Sequence, residues 1–227
     1  MQTKRFTLKW QFITALTILA GLVYSSWPLG YILNPIANRG LASNLEGLHQ
    51  PYNWVFDALD IVSGVLVVGV SLWLLRITTY KRSAWLWAAI AGYGTFGLLT
   101  AVDALIPIDC AQGLQQCGSL IDHPLIIAHG VVSMGSIAGL TVSIVSMWRL
   151  LAFHNSRSSL VAWLLNGTML VWFSFGVGTL LLILSSQSSA LSQHVFIVIC
   201  SLWIAGLPYM IWRSVRLRSV EASNTRS

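Results

Sequence analysis

The residues able to do acid–base or metal chemistry in this 227-residue chain are few. Its seven carboxylates are Glu46, Asp57, Asp60, Asp103, Asp109, Asp122 and Glu221, and its five histidines are His49, His123, His129, His154 and His194. Asp57 and Asp60 are three residues apart and would share one face of a helix. An imidazole set among carboxylates can move a proton as general acid and base, or hold a divalent metal such as zinc. The candidate catalytic set is Asp60, Asp109 and His129, with Glu46, His49, Gln50, His123, Gln193 and His194 as candidate binding residues. A purely structural reading of the same residues stays open. Asp57 and Asp60 would lie in the first turns of a helix, where the macrodipole favours negative charge. Asp122 and His123 directly precede Pro124, a favoured first helical residue, so they also read as caps. Asp103 and Asp109 differ, because they fall at the C-terminal end of an apolar segment, where the dipole disfavours a carboxylate. They need a partner, and His129 or His194 could serve.

The segments that must position these residues are apolar. Hydrophobic residues make up 56% of the chain and charged residues 9%, and the mean hydropathy is +0.72. A soluble domain carries about 25% charged residues, so a water-soluble enzyme, a nucleic-acid-binding domain and a disordered tail are excluded. Six charge-poor runs are long enough to cross a bilayer: 11–33, 54–75, 83–105, 124–148, 159–184 and 194–212. The runs are continuous and too long for the alternating strands of a membrane barrel. The predicted fold is therefore all-α, a polytopic bundle of six transmembrane helices over 11–213, with a short N-terminal segment (1–10) and a tail (214–227). Lys4, Arg5, Lys9, Arg76, Lys81, Arg82, Arg149, Arg157, Arg213, Arg216, Arg218 and Arg226 would share one side of the membrane, and Arg39 alone the other. The positive-inside rule then puts both termini in the cytoplasm. The basic excess is topological, so the bilayer rather than nucleic acid is the expected partner. The N-terminal charges and apolar stretch also fit a signal peptide. The run continues past 20 residues through Trp27 and Ile32 without a clear cleavage site, so a retained first helix, kinked at Pro28, is the expectation.

With that orientation every acid except Glu221, and every histidine except His154, lies on the outer side. The uncharged part of the second run is only 61–75. It spans about 22 Å against a hydrocarbon core of about 30 Å. Asp60, and Asp57 with it, is therefore expected at or below the outer interface, where an unpaired carboxylate costs several kcal/mol. His129 sits just inside the fourth run, followed by a small-residue stripe of Ser133, Ser136, Gly139, Ser143 and Ser146 that would let another helix approach. Glu46, Asp60, Asp109 and His129 are expected to converge on one outer cavity.

Cys110 and Cys117 share one predicted outer loop with Gly113. An oxidising compartment favours a disulfide between them, a metal pair being the alternative. Cys200, inside the last run, reads as a packed apolar residue. Tryptophans gather at the ends of the runs as aromatic belts. The chain has no phosphate-binding loop, H-E-x-x-H, G-x-S-x-G or haem-attachment motif.

The order of motifs carries a resemblance. Asn44-Leu-Glu46-Gly-Leu-His49-Gln50-Pro51-Tyr-Asn-Trp54 is followed by Asp60. Pro107, Asp109, Cys110, Cys117 and His129 come next, and Gln193 begins the last run. Together these resemble the prokaryotic six-helix membrane family catalogued as domain of unknown function 998, over nearly the whole chain. The resemblance implies a multi-pass protein of the plasma (cell inner) membrane, with Glu46, Gln50, Pro51, Asp60, Pro107, Asp109, His129 and Gln193 as pattern residues. His49 stands where the family usually has a small residue, and His194 where it usually has a basic one. The chain is also distantly similar to alkaline-ceramidase-type intramembrane hydrolases, which gather Asp, Ser and His near one membrane face around zinc. Their H-x-x-x-H pair and seventh span are missing here. Three functional readings follow: an integral membrane protein with an outer polar site, a membrane-embedded hydrolase or transferase acting on a lipid or lipid-linked substrate, or a small transporter or proton-sensitive sensor.

Overall fold

The computed structural model describes residues 2–39, 41–78, 83–110, 123–152 and 190–224. Among them the regular elements are helical. Five long helices dominate: α1 (Gln2–Tyr24), α2 (Asn53–Thr78), α3 (Ala84–Asp103), α4 (Pro124–Ala152) and α5 (Ala190–Asn224). Five segments are long and apolar enough to cross a membrane: Lys9–Leu33, Asn53–Thr78, Ala84–Asp103, Pro124–Leu151 and Gln193–Trp212. They match five of the six expected runs. The remaining run, 159–184, lies outside the described residues. The class is that of a multi-pass membrane protein.

The first run is interrupted near the expected place. α1 ends at Tyr24, a 3₁₀ turn containing Pro28 (Trp27–Leu29) follows, and a single helical turn (Gly30–Leu33) completes the span. Proline lacks the N–H that a continuous helix needs, so the break falls where proline forces it. Two further 3₁₀ turns, Ala37–Arg39 and Ala42–Glu46, fold the connection to α2 back over the bundle. Ala37, Leu45 and Phe56 form a small apolar cluster under that connection, with Trp27 and Leu33 against it.

α1 packs on α2 and α5, α2 on α3, and α3 on α4. Small residues set the closest approach. A methyl group added at Gly92 of α3 would lie 2.5 Å from the Gly139 carbonyl of α4, so the glycines let the two backbones touch. α5 closes the bundle through its polar contacts. The Trp203 indole donates to the Ser143 hydroxyl of α4 at 3.2 Å, and the Tyr93 hydroxyl of α3 donates to the Ile204 carbonyl at 3.0 Å. That carbonyl is one turn before Pro208, inside α5. Proline cannot supply the N–H that would normally bond four residues back, so Tyr93 takes its place.

The helices have chemically different ends. The starts of α2, α4 and α5 and the ends of α1 and α3 meet around the carboxylates and histidines, while Arg76 and Arg149 lie in the last turns of α2 and α4. The carboxylates and histidines mark the acidic end of the bundle.

Candidate functional site

At the acidic end the helices part around a cavity of about 120 Å³. Each long helix contributes to it: Tyr24 from the end of α1, Asp60 from α2, Asp103 from α3, His129 from α4 and Gln193 from α5. The connection before α2 adds Glu46.

The polar groups form two pairs. The first joins Glu46 and Asp60, whose carboxyls hydrogen-bond each other. Two carboxyls this close cannot both ionise, so one keeps a proton. Burial pushes Glu46 well above the ordinary carboxylate range, and the charges of Asp60, Asp57 and Asp103 add to the shift. The upward direction at Glu46 favours it as the donor of that hydrogen bond. The second pair is His129 with Asp103. The imidazole Nδ1 lies 3.2 Å from Asp103 Oδ1, with residual exposures of 12% and 18%. The contact is an ion-pair distance without hydrogen-bond alignment. Ser133, one turn after His129 on the same face of α4, donates to the other Asp103 oxygen. A turn deeper, Ser136 and Thr100 share a hydrogen bond of 3.2 Å that ties α4 to α3. The expected small-residue stripe therefore has specific partners on α3 and α5.

The entrance is held by side-chain amides. Gln193 accepts from the Ala42 backbone N–H at 2.6 Å, fixing the first connection to the start of α5. Gln50 accepts from Asn34 at 2.9 Å, and Asn34 accepts from the Ala37 N–H at 3.1 Å. The Leu48 N–H donates to the Ile108 carbonyl at 2.9 Å beside an isolated parallel bridge of Gly47 to Ile108. The segment after α3 therefore braces the segment that carries Glu46.

Of the residues singled out in the sequence, Glu46, Asp60, His129 and Gln193 line the cavity. Asp109 requires a correction. It does not line the cavity but meets His123 at 3.1 Å. The reason is depth. α3 ends at Asp103, so Asp109 lies six residues beyond the helix, level with His123 at the start of α4. His129 is six residues further along α4, about 9 Å deeper, and the carboxylate at that level is Asp103. Asp109 and His123 form a tie between two helix ends. His49 is exposed and does not line the cavity. Gln50 serves the Asn34 contact rather than the cavity wall. His194 is buried and stacks on Trp27, ring centroids 3.9 Å apart and planes within 7°. It supports a wall residue instead of reaching the cavity. Asp103 and Ser133 are the functional candidates the sequence reading left out of its set. The signals were a carboxylate at an unfavourable helix C-terminus and the i, i+4 spacing of His129 and Ser133.

Among the described residues no three His, Cys, Asp or Glu side chains are placed to hold one metal ion. Cys200 is a buried free thiol. Cys117, the expected partner of Cys110, lies outside the described residues. The chemistry available at the cavity is proton transfer between a protonated carboxyl, an ionisable carboxyl and an imidazole beside a carboxylate.

A family profile described as "Protein of unknown function (DUF998)" matches residues 12–208, which is most of the chain and includes every cavity residue named above. The chain belongs to this family. No curated protein matches it, and no solved structure does.

Proposed function

We propose that the protein crosses the plasma (cell inner) membrane six times with both termini in the cytoplasm. Its outward-facing cavity takes the polar end of a lipid or lipid-linked substrate and acts on it as a hydrolase or transferase by general acid–base chemistry. The carrying observation is that the Asp103–His129 pair and the Glu46–Asp60 pair open onto one cavity. His129 is the base that takes a proton from the attacking water or hydroxyl, and Glu46 is the acid that returns one to the leaving group. Gln193 and Ser133 position the wall and the Asp103 carboxylate.

The sixth span is supported by direction. The starts of α4 and α5 both line the cavity, so the two helices run the same way, and the chain between them has to recross the bundle. The apolar run 159–184 is the segment that can do so. A Cys110–Cys117 disulfide belongs to the same reading, supported by Cys110 not being a free thiol.

The test is lipid turnover. The purified protein is placed in vesicles made from the total lipid of its producing cells, and lipid species are followed by mass spectrometry. The expected result is time-dependent loss of one lipid class, abolished in His129→Ala and Asp103→Asn proteins that still purify as folded species. No change in any lipid class would overturn the enzyme reading. A proton-sensitive sensor is the second reading, favoured by the proton held at Glu46. It expects a pH-dependent conformational signal lost in Glu46→Gln, with no lipid consumed.

A further inference from the structure

We infer that the group this cavity accepts is a cation, an ammonium headgroup rather than a phosphate or another anion. The inference deepens the proposed function and rests on it for the substrate being a lipid. Three carboxyl groups from three separate parts of the fold line the cavity: Glu46 from the connection before α2, Asp60 from α2 and Asp103 from α3. Among the described residues no lysine or arginine lines it. Of the described lining side chains only His129 can become positive, and it already lies against Asp103. An entering phosphate would meet these three carboxyl groups, and in a partly desolvated site that repulsion is large. An ammonium does the reverse. It offsets the negative charge that Glu46 and Asp60 share and lowers the cost of holding carboxylates between apolar helices.

The walls support the same chemistry independently of the acids. Tyr24, Trp27 and Phe56 bring three aromatic rings to the cavity, and Trp27 is held in place by the stacked His194 ring. Aromatic faces attract a desolvated ammonium and give an anion nothing comparable. Carboxylates combined with aromatic walls are what recognition of a primary or quaternary ammonium needs. Neutral polar groups such as sugar hydroxyls would gain from the hydrogen bonds but not from the charge.

The probe set is n-octylammonium, n-octanoate and n-octanol, which share one chain and differ in the charge of the head. Binding to the full-length protein in a neutral maltoside detergent is read as saturable thermal stabilisation. Octylammonium is expected to bind saturably, with octanoate and octanol giving no saturable effect. Asp60→Asn should weaken octylammonium by about tenfold or more, as expected for loss of a close opposite charge. If Asp60→Asn does not fold, Asp103→Asn takes its place, and the ranking of the three probes on the unaltered protein decides without any variant. Octanoate binding as tightly as octylammonium, an Asp60→Asn affinity equal to wild type, or no saturable binding by octylammonium would each overturn the inference. Lipid turnover without octylammonium binding would leave the enzyme reading standing and remove the cation. Octylammonium binding without turnover would keep the cation and remove the enzyme.

Discussion

Glu46 is the residue whose chemistry depends most on the fold around it. In an unfolded chain it would titrate near 4.3. Folded, it is partly buried beside Asp60, and its proton is held to a higher pH. The folded protein therefore binds a proton that the unfolded chain has lost, and stability falls as pH rises through that window. This contribution is complete below the ordinary carboxylate value and lost as pH climbs past the folded value. The melting temperature in detergent should thus fall as pH rises above the ordinary carboxylate range, and more steeply in wild type than in Glu46→Gln. Glutamine mimics the protonated acid, so the variant should melt higher than wild type at the alkaline end of that titration. Equal slopes for the two proteins would show that Glu46 ionises freely. Asp103 and Asp109 make a second comparison at this scale. Asp103→Asn should reproduce the loss of function of His129→Ala, because both remove the same pair. Asp109→Asn should only loosen the joint with His123. Equal functional loss in both aspartate variants would contradict the depth assignment. The sequence marked both aspartates as needing partners and put Asp109 rather than Asp103 in the candidate set, since residue spacing does not say where a helix ends.

At the scale of elements, the helices were readable and their contacts were not. Five runs of apolar residues became five helical segments of membrane length with boundaries shifted by a few residues, because a bilayer leaves an apolar backbone no other way to satisfy its hydrogen bonds. The partner of each small-residue face depends on packing that no single segment encodes. Gly92 and Gly69 separate the two cases. An added methyl at Gly92 would collide with the Gly139 backbone, whereas nothing lies within 4 Å of one at Gly69. Gly92→Ala should force α3 from α4 and lower the melting temperature. Gly69→Ala should be neutral or slightly stabilising, by up to about 1 kcal/mol from helix propensity alone. Similar melting temperatures for the two variants would show that α3 and α4 do not touch there. The Tyr93 hydroxyl tests the proline break in α5. Tyr93→Phe leaves the Ile204 carbonyl without that donor, a loss of about 1–3 kcal/mol for a buried polar group. The substitution should lower the melting temperature while leaving octylammonium binding unchanged, since Tyr93 does not line the cavity. An unchanged melting temperature would mean that another donor satisfies this carbonyl.

For the whole molecule the governing quantity is the number of crossings, and charge and geometry constrain it separately. Charge speaks through the lysines and arginines, which fall on alternate connections with Arg39 as the exception. Geometry speaks through the cavity. The ends of α1 and α3 and the starts of α2, α4 and α5 all reach it, so the segments from α1 to α4 alternate in direction while α5 repeats the direction of α4. The proposed even total, with both termini on the basic side, would satisfy both constraints and would put the carboxylates on the outer surface. Labelling with a membrane-impermeant thiol reagent can check this on single-cysteine versions of a protein whose native cysteines have been replaced. Leu48 and Leu105 are exposed residues at the acidic end, and cysteines there should label in intact cells. Cysteines at positions 81 and 157, on the connections carrying the basic residues, should label only after the cells are opened. Labelling at 81 from outside would invert the molecule and turn the cavity toward the cytoplasm. Labelling at 157 from outside with 81 protected would break the alternation itself and overturn the proposed six crossings.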